Sequence, residues 1–299
     1  MSVPPRVHDG LSRRAVVAVA SNKGGVGKTT VATNLAIYLR ALHEDLPVLL
    51  LGLDDQSIID RMFRLGSTEP AELNLKHVFA RRSLEEAVRM GQYGIHFVPT
   101  PPDTGPLKSR AEDPQTLRRI LAHSGFQGVI LLDTKSDLEA LTQNALAAAD
   151  LVILPVADRA SLEEAAKAVD LLERLGAGAG RGRVLFTLVD RRTRVDRHGH
   201  DLLARLTAVV DERGWSRFQS VLSRSPRLEA LNSGSGVPGS VLHHARGTPV
   251  HRELRELAEE VSKLLDLKAS RRLAPPPSAS GPVSGGGLKD ALLRGLWRG

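Results

Sequence analysis

The sequence predicts an α/β fold, a doubly wound and mostly parallel sheet flanked by helices. Three observations carry this expectation. Six short aliphatic runs recur along the 299 residues, helix-like patterns separate them, and a glycine-rich turn joins the first run to the first helix. The runs are "AVVAVA" 15–20, "VLLLGL" 48–53, "IHFVP" 95–99, "VILLD" 129–133, "LVILPV" 151–156 and "RVLFTLV" 183–189. Their apolar residues are continuous rather than alternating, as suits strands covered on both faces. Such strands alternating with helices favour parallel pairing through crossovers.

The helical patterns follow in order as "TVATNLAIYLRAL", "PQTLRRILAHS", "DLEALTQNALAAA" and "SLEEAAKAVDLLERL". Asp137 and Ser161 are the expected N-caps of the last two, and Ser161 with Glu164 has capping-box spacing. "GAGAGRG" (176–182) reads as a flexible connection before a strand, and "PVHRELRELAEEVSKLLDL" (249–267) as the helix closing the compact part. The expected organisation is a flexible basic extension over 1–13, one globular domain over 14–267, a disordered linker over 268–287 and an amphipathic helix over 288–299. The linker, with "APPPSASGPVSGGG", has almost nothing to bury. In "LKDALLRGLWRG", Leu292, Leu293, Leu296 and Trp297 share a broad apolar face, interrupted by Lys289 and weakened by Gly295.

Composition removes several alternatives. Hydrophobic residues make up 41% of the chain, enough for a substantial core. No run approaches the roughly 20 apolar residues needed to cross a bilayer. The apolar run near the N-terminus is too short for a signal-peptide core, so a soluble cytoplasmic protein is expected. The absence of cysteine excludes disulfides, cysteine-ligated zinc, iron–sulfur clusters and thiol catalysis. The net charge of +7 is uneven: 181–227 holds eleven basic and five acidic residues, 268–299 six and one, while 15–180 is acidic. Such localisation points to an anionic surface as partner.

The chemistry sits in "ASNKGGVGKTT" (20–30). Glycines at 24, 25 and 27 let backbone N–H groups approach phosphate oxygens. The following helix N-terminus adds partial positive charge, Lys28 reaches the β/γ-phosphates, and the Thr29 hydroxyl suits Mg²⁺. Asn22 stands where the strict P-loop pattern has glycine. A second lysine, Lys23, has no role in that generic scheme.

"KGGVGKTT" resembles the deviant Walker A motif of the ParA/MinD family of P-loop ATPases, with Lys23 at the position of its signature lysine. The resemblance implies that ATP and Mg²⁺ bind a loop made of Lys23, Gly24, Gly25, Val26, Gly27, Lys28, Thr29 and Thr30. It implies that Lys23 reaches the other subunit's nucleotide in an ATP-sandwiched homodimer, as an arginine finger does. "VLLLGLDDQS" is similar to the second strand and switch I: Asp54 falls on the aspartate near the attacking water and Mg²⁺, and Gln56 on the glutamine. Gly52 replaces the first aspartate and Asp55 the proline, so hydrolysis is expected to be slow. "GVILLDTKSDLEALTQNALAAADLVILPV" resembles Walker B and the segment after it, which makes Asp133 the holder of a Mg²⁺-bound water. Lys135 and Ser136 stand where two prolines are usual. "LFTLVDRRTRVDRHGHDLL" resembles the strand and loop that put Asp190 near the adenine. These matches span roughly residues 14–267.

The family resemblance implies a switch in which ATP favours a dimer, a partner protein stimulates hydrolysis, and a cargo is positioned. Two matrices for that dimer fit this sequence. Nucleoid DNA, bound without sequence preference, would be met by Arg191, Arg192, Arg194, Arg217, Arg224 and Arg227; the same arginines can equally form a solvated surface. The inner membrane face would be met by the 288–299 helix, as in MinD-like relatives, and that tail can equally dock on a partner protein. A scaffold that binds nucleotide without hydrolysis is the third reading, motivated by Gly52 and Lys135. No metal site beyond Mg²⁺ is expected, and His243 and His244 read as loop residues.

Overall fold

A computed structural model of the chain describes residues 14–54, 58–64, 73–190, 201–233 and 239–267. The expectations for 1–13, 268–287 and 288–299 lie outside these, as do Asp55, Gln56, Arg191, Arg192 and Arg194.

The chain alternates strands and helices as the pattern requires. Strand β1 (Ala15–Val19) leads into helix α1 (Lys28–Leu42), followed by β2 (Val48–Gly52), α2 (Ile58–Phe63) and α3 (Leu75–Arg81). A short strand β3 (Arg89–Met90) precedes β4 (His96–Val98), α4 (Thr116–His123), β5 (Val129–Asp133) and α5 (Ala140–Ala148). The second half runs β6 (Leu151–Val156), α6 (Arg159–Arg174), β7 (Gly182–Val189), α7 (Leu202–Glu212) and β8 (Ser216–Ser223). Helices α8 (Pro226–Ser233), α9 (Val241–His244) and α10 (Pro249–Leu264) complete the described chain.

These strands form a single sheet in the order β3-β4-β2-β5-β1-β6-β7-β8. All pairings are parallel except β3 against β4. The central strands are buried throughout, and their alternate residues feed two cores. Val17, Val19, Val129 and Leu131 face α1 and α10, whereas Val16, Ala18, Ile130 and Leu132 face the layer of α4, α5 and α6. Strand β1 lies between β5 and β6, so the chain winds away from it in both directions. The C-terminal ends of β1 and β5 therefore open a crevice at the switch point, where α/β sheets bind ligands.

The edge strand β8 is covered from α10. Glu253, 2% exposed, accepts hydrogen bonds from the Ser223 N–H (2.7 Å) and hydroxyl (2.6 Å). Glu260 accepts from the N–H groups of Gln219 and Ser220 and from the Ser220 hydroxyl. Two carboxylates two helical turns apart thus satisfy edge donors that would otherwise template another strand.

Three local expectations are corrected. Helix α6 is capped by Asp158, not Ser161: the Asp158 carboxylate accepts from the Ser161 N–H (2.8 Å) and the Ser161 hydroxyl accepts from the Asp158 N–H (2.9 Å), a capping box begun three residues earlier. Helix α5 starts at Ala140, and Asp137 instead turns the approach by accepting from the Glu139 N–H and the Thr142 hydroxyl. His243 and His244 belong to α9, where the His243 ring stacks on Tyr93 at 4.8 Å between centroids.

Candidate nucleotide site

The loop after β1 has the conformation that its glycines were expected to supply. Gly25 and Gly27 both have positive φ, 75° and 91°, which L side chains rarely adopt. Gly27 is the N-cap of α1 and offers no side chain, so no side-chain group caps the first turn of that helix. Its backbone N–H groups and the positive end of the helix dipole together suit an anion. The loop is braced from several sides. The Val26 carbonyl accepts from the Thr187 hydroxyl of β7 (2.9 Å), and the Lys23 N–H donates to Ser21 Oγ (3.1 Å). Asn22, the departure from the strict motif, donates its amide to Glu164 of α6 (2.5 Å).

Lys28 opens α1 and is 6% exposed. Its ammonium donates to the Lys23 carbonyl (3.2 Å) and to Ser136 Oγ (2.7 Å), so it lies across the loop mouth. Burial lowers its pKa, against Asp133, Asp54 and Asp137, which raise it. The side chain of the next residue, Thr29, lies beside the Asp133 carboxylate and acts to lower its pKa. Asp133 ends β5 and is 2% exposed. Burial pushes its pKa up to about 7, opposed by the Thr29 side chain and the Lys28 charge and reinforced by Asp54. Its Oδ1 is buried without a hydrogen-bond partner. A buried, unpartnered carboxylate oxygen beside a hydroxyl and a second, half-exposed carboxylate makes a hard-oxygen donor set. That set fits Mg²⁺, which keeps waters and takes its remaining ligands from phosphate. Among the described residues no cluster of three or more His, Asp or Glu forms a separate metal cage.

Lys23 points elsewhere. Its ammonium is paired with Asp158, at 2.8 Å from Oδ1 and 2.6 Å from Oδ2. Although burial works the other way, the bonds from Lys23 and Ser161 hold the Asp158 carboxyl below its ordinary range. Both side chains stay accessible, 34% and 47% exposed. One lysine is thus turned into the loop, and the other is held at its rim by the N-cap of α6.

Gly52 is closely packed by two side chains. A Cβ there would lie 2.9 Å from Ile59 Cδ1, the far end of that side chain, and 3.0 Å from Thr100 Oγ1, so a larger residue would require these two side chains to shift. Asp190, at the end of β7, is exposed and lines a cavity of about 350 Å³ with Val156, Phe186, Val189, Leu203 and Leu206. The Thr187 bond to Val26 ties this strand end to the phosphate loop.

The described arginines of the basic segment differ in availability. Arg217 is paired with Asp211 (3.0 Å) and Arg224 with Glu229 (2.9 Å), whereas Arg227, in the first turn of α8, is exposed. Arg183 lies over Phe218 and Arg213 over Trp215, so each of these two rings is covered on one face by an arginine of the same segment.

The structure places Lys28, Thr29, Asp54 and Asp133, which sequence reasoning assigned to one site, beside one another. It missed Asp158, Glu164 and the contact of Ser136 with Lys28. Only Asp158 left a legible signal, the three-residue spacing to Ser161.

The chain as a whole is similar to known proteins. A family model described as an AAA domain matches residues 14–175. The chain is 37% identical over 252 residues to the chromosome-partitioning ATPase Soj of Thermus thermophilus, covering 82% of this chain and 94% of that protein. Its fold is similar to the septum site-determining protein MinD of Pyrococcus horikoshii OT3, solved with Mg-ADP (TM-score 0.66, 21% identity, 84% of this chain and 97% of that one). It is also similar to a protein described as a plasmid partition protein of Borrelia burgdorferi B31, solved with AMPPNP (TM-score 0.64, 18% identity, 85% and 100%). The two lysines of the loop, the carboxylates beneath it and these likenesses agree: the chain belongs to the ParA/MinD family of P-loop ATPases.

Proposed function

We propose that this protein is a ParA-like switch: MgATP joins two copies into a dimer, hydrolysis separates them, and the cycle positions or partitions a cargo. The observation that carries the reading is the division of labour between the two lysines. Lys28 is buried beside Asp133 and Asp54, where it serves its own nucleotide, while Lys23 is held at the accessible rim by Asp158. An exposed pair of this kind is worth about 0–1 kcal/mol, so it yields readily to a better anion. The phosphates of a nucleotide in a second copy are such an anion. Gly24, Gly25, Val26, Gly27 and Thr30 supply the loop backbone, and Asp190 the adenine end. Mg²⁺, held through Thr29 and with Asp133 and Asp54 around it, would neutralise charge on the phosphates.

In hydrolysis, water attacks the γ-phosphorus, the bond to the β–γ bridging oxygen breaks, and ADP and phosphate leave. Asp54 is the residue near that water, and Lys23 of the second copy would offset the developing charge. Gly52 leaves switch I without its first aspartate, which supports slow turnover stimulated by a partner protein. For the matrix, the basic segment supports non-specific DNA, with Arg227 the most available described residue. The membrane reading rests on the 288–299 sequence.

Steady-state phosphate release tests the proposal. Slow MgATP hydrolysis that rises with DNA supports it, stimulation by anionic liposomes instead favours the membrane, and nucleotide binding with no turnover under any condition leaves only the scaffold.

A further inference from the structure

The contact between Lys28 and Ser136 has no role in the proposed cycle. Ser136 lies in the segment "TKSD" that follows β5 and is pinned on both sides. Upstream, the Thr134 hydroxyl (3.0 Å) and N–H (3.3 Å) both donate to the Val19 carbonyl of β1. Downstream, Asp137 accepts from the Glu139 N–H and the Thr142 hydroxyl at the approach to α5. Ser136 is the exposed crest between these anchors. Its hydroxyl oxygen meets the Lys28 ammonium at 2.7 Å and lies 3.8 Å from where a Cβ on Gly24 would stand.

Two consequences follow from this position. Lys28 spends one of its three N–H donors on Ser136, so the serine oxygen occupies a direction that a phosphate oxygen would take. The serine hydroxyl also has a proton of its own, with no acceptor among the described residues. The innermost phosphates are cradled near Gly27 and the start of α1. Gly24 lies three residues outward, so a hydroxyl above it faces the terminal phosphate of a triphosphate and not the end of a diphosphate.

We infer that Ser136 is a positioning residue that reads the γ-phosphate: it accepts from Lys28 in the nucleotide-free chain and donates to the terminal phosphate when ATP is bound. The inference rests on the ATP reading of the loop and adds to it the group that separates ATP from ADP. Its exchange is hydrogen-bond neutral for Lys28, which trades the serine oxygen for phosphate. The gain comes from the serine proton, which acquires a charged acceptor only when the γ-phosphate is present.

The test is isothermal titration of the full chain with a non-hydrolysable ATP analogue and with ADP, both with Mg²⁺. Ser136 is exposed, so the wild type, Ser136→Ala and Ser136→Thr are all expected to fold. A lost hydrogen bond to a charged group corresponds to about a tenfold change or more. The ratio of the ADP to the ATP-analogue Kd should therefore fall about tenfold in Ser136→Ala and be restored in Ser136→Thr. ADP affinity in Ser136→Ala should be unchanged or slightly tighter, because the competing contact to Lys28 is gone. A ratio within twofold of wild type in Ser136→Ala overturns the inference and leaves the ATP reading intact. A wild type that binds neither nucleotide overturns both.

Discussion

Asp133 makes a prediction that depends on both pH and ligand. The carboxylate is buried, one of its oxygens has no partner, and its pKa stands at about 7 against an ordinary 3.8. At about 1.36 kcal/mol per pH unit, this rise sets an upper limit of about 4 kcal/mol on what ionisation costs the nucleotide-free fold. Because the folded-state pKa is raised, that stability is fully present below pH 3.8 and is lost as pH rises to about 7. Asp133→Asn removes the charge but leaves an amide N–H to satisfy in the same place, at a cost of about 1–3 kcal/mol. The net expectation is that Asp133→Asn is about 1–3 kcal/mol more stable than wild type at pH 8 without nucleotide. The advantage should shrink or reverse near pH 4. With Mg²⁺ and ATP the advantage should narrow or vanish, since on the proposed role of Asp133 beside Mg²⁺ the loss of its carboxylate would weaken binding about 10–100-fold, about 1.4–2.7 kcal/mol at saturating ligand. Urea denaturation at pH 4 and pH 8, with and without MgATP, measures both effects. A variant less stable than wild type at pH 8 without ligand, or a difference independent of pH, would refute this account of Asp133.

Two further outcomes follow from the ion pairs. Asp158→Asn keeps the N-cap of α6 but weakens the hold on Lys23, so monomer stability should change by less than about 1 kcal/mol while the ATP-dependent dimer forms at lower protein concentration in sedimentation velocity. Arg227→Glu should weaken non-specific DNA binding in a filter or anisotropy assay and reduce the salt slope by about one per subunit. Arg224→Glu should do less, because Arg224 already pairs with Glu229.

The fold was legible wherever burial is symmetric. Strands such as Val129–Asp133 and Leu151–Val156 are buried at every position and appear in the sequence as unbroken aliphatic runs. Strand β8 was missed because only four of its eight residues are buried and its edge donors are satisfied by Glu253 and Glu260, a pairing that no local pattern records. Strand β3 has two exposed residues and owes its existence to pairing with β4. The phosphate loop was legible because its demands are local: glycines for positive φ, then a lysine and a hydroxyl at a helix start. The partners that hold its lysines were not, since Asp158 is 135 residues from Lys23 and Ser136 is 108 from Lys28. The space at Gly52 belongs to the same class, because Ile59 and Thr100 come from separate segments.

The central claim is that nucleotide state sets whether Lys23 serves its own chain or a second one. Sedimentation velocity of wild type and Lys23→Ala, each with MgATP or MgADP, tests it directly. The account predicts a wild-type dimer with MgATP, a monomer with MgADP, and a Lys23→Ala variant that binds ATP yet stays monomeric or dimerises much more weakly. Wild type that sediments identically with both nucleotides, or a Lys23→Ala variant that dimerises as wild type does, would contradict it.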